Sequence, residues 1–158
     1  MRRHPARFAI LVGGTIAGIL DITYAIVFSA FRGVAPIRVL HSVASGLLGA
    51  NAAKGGVPTA VLGLCLHFMN AFIIAAIYYF ASRRIEVLRT RPVIMGILYG
   101  FGVYWVMNLV VLPLSAYPRK VTFPPLVLAT GLFVHMVFIG LPIALATRRA
   151  TEGSHPHE

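Results

Sequence analysis

Four long apolar runs alternate with short polar connections along the chain. Each run exceeds the roughly 20 residues that a helix needs to cross the hydrocarbon core of a bilayer. The runs are Phe8–Phe31, Val57–Ala81, Val93–Ala116 and Leu126–Thr147. Prolines stand near the beginning of the last three runs, where a helix tolerates a residue without an N–H. The pattern predicts an all-α integral membrane protein with four transmembrane helices in a single domain, residues 1–150, and a disordered polar tail, residues 151–158.

The connection between the first two runs, residues 36–53, has a pattern of its own. It is too short and too mixed to span a membrane. Its apolar side chains follow helical spacing, and its polar side chains fall on the opposite side. The apolar set is Leu40, Val43, Ala44, Leu47 and Leu48, and the polar set is Arg38, His41, Ser42 and Ser45. We expect an amphipathic helix, either lying at the membrane interface with a solvated His41 or re-entrant and packed on the bundle, since Gly46 and Gly49 permit close approach.

Composition agrees with a membrane environment. The chain is 58% hydrophobic and 11% charged, with a mean hydropathy of +0.84, whereas a soluble domain carries about 25% charged residues. The net charge of +10 could indicate nucleic acid, but the Lys and Arg residues bracket the apolar runs and form no single stripe. The expected partner is therefore the lipid bilayer and not nucleic acid.

The distribution of basic residues predicts an orientation. Nine Lys and Arg lie in the N-terminal segment, the second connection and the C-terminal segment, against five in the first and third connections. Cytoplasmic segments of membrane proteins are enriched in Lys and Arg. We expect both termini in the cytoplasm.

Short patterns recur between the runs. "GLCLH" in the second run returns as "GLFVH" 68 residues later in the fourth, which would make two parallel hairpins if the chain is an internal duplication. The first and third runs each contain a Gly-x-x-x-Gly pair, a spacing that lets helices approach closely in lipid. The four glycines are Gly14, Gly18, Gly96 and Gly100.

Three stretches in roughly the last 100 residues carry a family resemblance. They read "LHFMNAFIIAAIYYFASRR", "GILYGFGVYWVMNLVVLPLSA" and "HMVFIGLPIALATRR". With these stretches the chain resembles small bacterial inner-membrane proteins of the YagU-like type, although its first connection is short for that type. The resemblance implies a multi-span membrane fold and no particular activity.

Six polar residues stand inside the apolar runs at similar depth. Counted at about 1.5 Å per residue from the flanking arginines, they lie about 20 to 26 Å from the cytoplasmic side. They are Asp21, His67, Asn70, Tyr104, Asn108 and His135. In several cases the polar residue shares a helix face with the glycines that favour helix contacts. We expect these side chains to point inward and to form one polar layer.

Asp21 is the unusual member of this layer, because no other acid lies within a run. An ionised Asp at such depth costs about 2.5–3.5 kcal/mol. It should therefore either pair with a histidinium or carry a proton. The plainest interpretation of the layer is hydrogen bonding between helices. The alternatives are a proton or ion relay, a haem held between His67 and His135, a metal bound by Asp21, His67 and His135, and an enzyme site.

The sequence contains no nucleophile with a base and no carboxylate pair, so we expect no enzyme. The leading hypothesis is a structural or accessory subunit of a membrane assembly, forming homo-oligomers or joining other membrane subunits through its glycine pairs. The second hypothesis is a proton-coupled transporter or channel that uses the Asp/His layer. Four short spans enclose a cavity only as an oligomer or with the helix of the first connection folded in.

Overall fold

A computed structural model describes residues 4–152, and in this part of the chain every regular element is helical. The α-helices are α1 (Pro5–Ala30), α2 (Pro36–Leu48), α3 (Gly56–Ser82), α4 (Val87–Thr90), α5 (Pro92–Val106), α6 (Leu112–Leu114), α7 (Pro125–Val134) and α8 (Leu141–Glu152). A 3-10 helix, Gly49–Lys54, joins α2 to α3. Two π-helical segments, Met107–Val111 and His135–Gly140, join α5 to α6 and α7 to α8 without a break.

Four continuous helices are long and apolar enough to cross a membrane. These spans are Pro5–Ala30, Gly56–Ser82, Pro92–Leu114 and Pro125–Glu152, and they match the four predicted runs to within a few residues except at the end of the chain. There the helix continues through the paired arginines to Glu152, and the Arg148 side chain pairs with Glu152 one turn later. Thr151 and Glu152 therefore belong to the helix and not to the predicted tail. The rest of that tail, residues 153–158, lies outside the described residues.

The first span packs on the second and fourth spans through small residues. A methyl group added to Gly14 would overlap the ring of Phe72, and one added to Gly18 would overlap the ring of Phe68. On its other side, Gly13 lies against the backbone of Ile143 in α8. Without side chains at these points, the helices approach closely enough for continuous van der Waals contact, which drives association where lipid offers no hydrophobic force.

The third and fourth spans approach each other even more closely. A methyl group on Gly100 would overlap the carbonyl oxygen of His135, and one on Gly140 would overlap the carbonyl oxygen of Gly96. Gly96 itself lies against Ala144. The backbones of the two helices are therefore in direct contact, and only glycine fits at this crossing.

Both π-helical segments have a proline just after them. The N–H of Leu112 donates to the carbonyl of Met107, and that of Leu141 donates to the carbonyl of Met136, in each case five residues back. Pro113 and Pro142 follow immediately. A proline inside a helix has no N–H and its ring clashes with the preceding turn, and widening that turn to a π-bulge relieves the clash. The pattern of the sequence did not predict these π-bulges.

A glycine turn connects the first span to α2. Gly33 has φ +75°, its N–H donates to the Ala30 carbonyl, and the Val34 N–H donates to the Ser29 carbonyl. This is a Schellman motif, which favours glycine because the left-handed conformation penalises other residues. The turn directs the chain back over the end of the bundle.

Helix α2 lies across the beginning of α3. Gly63 of α3 lies so close to α2 that a methyl group on it would overlap the carbonyl oxygen of Leu40. Ala44 of α2 is fully buried in this contact. The expectation of a solvated His41 is wrong. Its side chain is only 6% exposed, and its Nε2 atom donates a hydrogen bond of 2.8 Å to the carbonyl of Gly56. Leu47, a member of the apolar set of this helix, does not pack on the bundle and is 60% exposed.

Two tyrosines fix the other end of the bundle. Tyr78 is completely buried, and its hydroxyl donates to the carbonyl of Leu88 at 2.9 Å, which ties α4 to the second span. Tyr99 of the third span donates to the carbonyl of Ile74 at 2.7 Å, and its ring meets Tyr78 edge-on at 4.9 Å. Below we call this the α4 end of the bundle, and we call the end formed by α2 and residues 115–124 the α2 end.

Candidate functional site

A cavity of about 370 Å³ lies between the four spans. We call it the central cavity. All four spans contribute to its wall, and α2 and residues 115–117 line its part nearest the α2 end. The polar side chains in the wall are Asp21, Ser42, His67, Asn70, Asn108, Ser115, Tyr117 and His135. Its volume falls within the range of small-molecule sites in proteins, about 300–1,000 Å³.

Asp21 and His67 face each other across the first and second spans. The Oδ2 atom of Asp21 lies 4.0 Å from Nδ1 of His67, and the two side chains are 25% and 12% exposed. The other ring nitrogen of His67, Nε2, donates to the carbonyl of Gly18 at 2.9 Å. A carbonyl oxygen only accepts, so Nε2 carries a hydrogen. This bond fixes the ring with Nδ1 toward the carboxyl group.

At 4.0 Å the two groups are within ion-pair range but too far apart for a direct hydrogen bond. With one proton between them, Asp21 and His67 are either carboxylate and imidazolium or two neutral groups, and both arrangements have no net charge. A second proton makes the pair a cation, and loss of the proton makes it an anion. Net charge is costly in a low-dielectric wall unless a solute or ion compensates it.

The second cavity histidine, His135, is held differently. Its Nδ1 donates to the carbonyl of Gly131, one turn earlier in the same helix, at 2.9 Å. The ring of Tyr104 packs edge-on against it, with centroids 5.2 Å apart and an angle of 88°. These contacts hold the ring so that Nε2 is the nitrogen without a backbone partner. His135 stands at the first residue of the π-helical segment, where the widened turn sets its direction.

Two asparagines complete the polar wall. Asn108 lies in the other π-helical segment, and its Nδ2 donates to the carbonyl of Tyr104 at 2.8 Å, which leaves its side-chain oxygen toward the cavity. Asn70 lines the cavity one turn after His67 and makes no side-chain hydrogen bond to any residue of the described chain. Its amide is therefore available to a solute or water in the cavity.

Five of the six residues of the predicted polar layer line this single cavity. The sixth, Tyr104, stands behind the wall, where its ring packs against His135 and fills the space left by Gly131. Counting residues from the arginines placed these side chains at one height, and the structure adds that they face one space.

Several wall residues were missed by the sequence analysis. Ser42 and Tyr117 come from the connections, and Ser115 comes from the end of the third apolar run. They reach the cavity because α2 folds over the spans and the Ala116 N–H donates to the Gly46 carbonyl at 2.9 Å. The small residues of "SGLLG" were the available signal, because Gly46 and Gly49 both lie against residues 115–116.

The metal site considered from the sequence has no complete set of ligands among the described residues. Nowhere in residues 4–152 do three His, Cys, Asp or Glu side chains converge as they would around a metal ion. For the haem alternative, Nε2 of His67 and Nδ1 of His135 are already bonded to backbone carbonyls. Only Nδ1 of His67, which faces Asp21, and Nε2 of His135 remain as possible axial ligands.

Comparison with protein families, with curated proteins and with solved structures finds no match to this chain.

Proposed function

We propose that the protein is a small proton-coupled transporter or channel whose solute site is the central cavity. The observation that carries this proposal is the Asp21–His67 pair in the cavity wall. A carboxyl group and an imidazole that face each other can change charge without a metal or cofactor, and ionisable residues inside membrane spans commonly mark ion or solute pathways.

The cavity also removes an objection to transport. Four short spans were expected to enclose a cavity only as an oligomer or with the helix of the first connection folded in. Four residues of α2, Val39, Ser42, Val43 and Gly46, line the cavity. This supports the re-entrant alternative for α2, in which the helix closes the cavity at one end and the solute site is built within one chain.

The accessory-subunit hypothesis rested on glycine pairs that could receive a partner helix. In the described chain these glycines contact its own spans: Gly14 and Gly18 meet Phe72 and Phe68, and Gly96 and Gly100 meet the fourth span. They therefore offer no free groove to another subunit. These contacts favour the cavity-based transport hypothesis over the accessory-subunit hypothesis.

Proton movement through reconstituted protein tests the proposal. Liposomes holding a pH-sensitive dye receive an inside-negative potassium diffusion potential, first alone and then with phosphate or tetramethylammonium outside. We expect internal acidification in at least one condition, and an at least tenfold lower rate for Asp21→Asn, because the amide cannot exchange a proton with His67. Glu86→Gln makes the same chemical change at an exposed acid outside the cavity and serves as the matched control.

The Glu86→Gln control decides whether the loss of acidification is specific to Asp21. A rate that falls equally in both variants assigns the effect to general loss of negative charge, and the absence of Asp21-dependent acidification in all three conditions removes the transport proposal.

The proposal includes an orientation with both termini in the cytoplasm of a bacterium, based on the excess of basic residues there. Single cysteines are placed in a Cys65→Ala background, since Cys65 is exposed on the second span. We expect an impermeant thiol reagent to label positions 54 and 119 in intact cells, but to label positions 89 and 151 only after lysis. The reverse pattern would place the α2 end in the cytoplasm.

A further inference from the structure

A second cavity, of about 710 Å³, opens at the α2 end and is lined by three guanidinium groups. They belong to Arg32 after α1, Arg38 in α2 and Arg119 in the connection between the third and fourth spans. We call this space the arginine cavity. Folding brings together three arginines that are far apart in the sequence, although like charges repel.

These arginines have no acidic partner. Of the acids that the structure describes, Asp21 lies in the central cavity and Glu86 and Glu152 line a depression at the α4 end. No carboxylate of residues 4–152 comes within ion-pair distance of Arg32, Arg38 or Arg119. At the α4 end, by contrast, Arg148 pairs with Glu152. The arginine cavity therefore carries an uncompensated positive charge.

The side chains around it are held by local contacts. The guanidinium of Arg32 lies 5.7 Å from the centre of the Phe28 ring, and that of Arg119 lies 5.6 Å from the Tyr117 ring. Nη2 of Arg119 also makes a long contact of 3.5 Å to Oγ of Ser42. Stacking on an aromatic face keeps an arginine ordered while leaving its N–H groups free to donate.

The wall contains a further polar group that the protein leaves unpaired. His41 is 6% exposed and lines this cavity, and its Nδ1 is buried with no hydrogen-bond partner in the described chain. Buried polar atoms are nearly always paired, and an exception calls for an explanation. With Nε2 donating to the Gly56 carbonyl, Nδ1 of the neutral ring only accepts. Its missing partner is therefore a hydrogen-bond donor from outside the chain, such as water or the hydroxyl of a hydrogen phosphate.

We infer that the arginine cavity binds a phosphate group, either of a soluble phosphate or of the headgroup of an anionic lipid. Guanidinium groups bind such anions through paired hydrogen bonds, and no protein carboxylate competes for them. The two cavities share Val39 and Ser42 in their walls, so the anion would sit beside the central cavity. This inference goes beyond the proposed function and does not depend on it.

Binding to protein in lipid nanodiscs tests the inference and separates the two sources. In discs of phosphatidylcholine alone, the probe is radiolabelled inorganic phosphate. In discs that also hold phosphatidylglycerol, native mass spectrometry counts retained lipid. We expect at least one of the two to bind, and the triple variant Arg32→Gln, Arg38→Gln, Arg119→Gln to lose at least tenfold in affinity or retention. The three side chains are exposed, so their replacement should not prevent folding.

The matched control removes two charges from the same end outside the cavity. Lys54→Gln with Lys120→Gln should change binding less than about twofold, because neither exposed lysine lines the arginine cavity. Phosphate binding alone identifies a soluble anion as the ligand, and phosphatidylglycerol retention alone identifies a lipid.

The inference is overturned if neither probe binds, or if the lysine control loses as much as the arginine variant. Asp21→Asn should keep full binding, because Asp21 does not line the arginine cavity. Failure of proton movement with intact anion binding would therefore reject the proposed function and leave the anion site standing.

Discussion

Asp21→Asn and His67→Leu are expected to have strongly non-additive effects on stability. Each single substitution leaves a polar partner in the cavity wall without its counterpart, and removing one member of a fully buried pair costs about 3–5 kcal/mol. Since the side chains are 25% and 12% exposed, we expect a smaller cost, about 1–3 kcal/mol each. The double variant should cost less than the sum by at least about 1 kcal/mol, the range found for residues in contact.

The measurement is a double-mutant cycle from reversible unfolding in detergent. The cycle cancels the loss of the His67–Gly18 hydrogen bond, because that bond is absent in both variants that carry Leu at position 67. Asp21→Asn combined with His41→Leu is the control, since His41 is a buried histidine that lines the other cavity. The effects of Asp21→Asn and His41→Leu on the free energy of unfolding should add within about 0.5 kcal/mol. Additivity of the Asp21 and His67 effects as well would show that the two side chains do not interact, and the proposed mechanism would lose its basis.

Gly100→Ala is expected to be the most destabilising single methyl group that can be added to the third span. The new carbon would overlap the carbonyl oxygen of His135, which is backbone and cannot rotate away. The third and fourth spans must then separate, and overpacking of this kind costs about 1–3 kcal/mol. Because the shift moves the backbone of His135, we also expect the central cavity to change shape.

Gly102→Ala is the matched control, because the same substitution two residues later on the same helix meets nothing within 4 Å. It should be neutral or stabilise by up to about 1 kcal/mol through helix propensity. Unfolding of both variants in detergent provides the comparison. Equal stability of the two would mean that the third and fourth spans do not cross at Gly100.

The four helices were predictable from the sequence because membrane crossing is a local property. About 20 apolar residues suffice to predict a span whatever it packs against, and this is why the ends of Pro92–Leu114 were found within two residues. A common depth of Asp21, His67 and His135 is a prediction of the same kind, since the rise per residue of a helix is constant.

Contacts between helices were not predictable, because an apolar run does not encode which neighbour each face meets. His67 and His135 stand in the same Gly-x-x-x-His pattern, yet His67 bonds to the carbonyl of Gly18 in another span and His135 to that of Gly131 in its own. Gly63 lies against the backbone of α2, whereas Gly131 lies against the ring of Tyr104. The sequence showed the repeat, and the neighbouring helices gave its two copies different partners.

The sequence by itself determined the number of spans and their approximate ends, because hydropathy is a property of one segment. Only the tertiary structure decided that α2 lines the central cavity, that Asp21 meets His67 and that three distant arginines surround a second cavity. Each of these depends on how helices rotate and cross, and that is set by glycine contacts and proline bulges acting between segments.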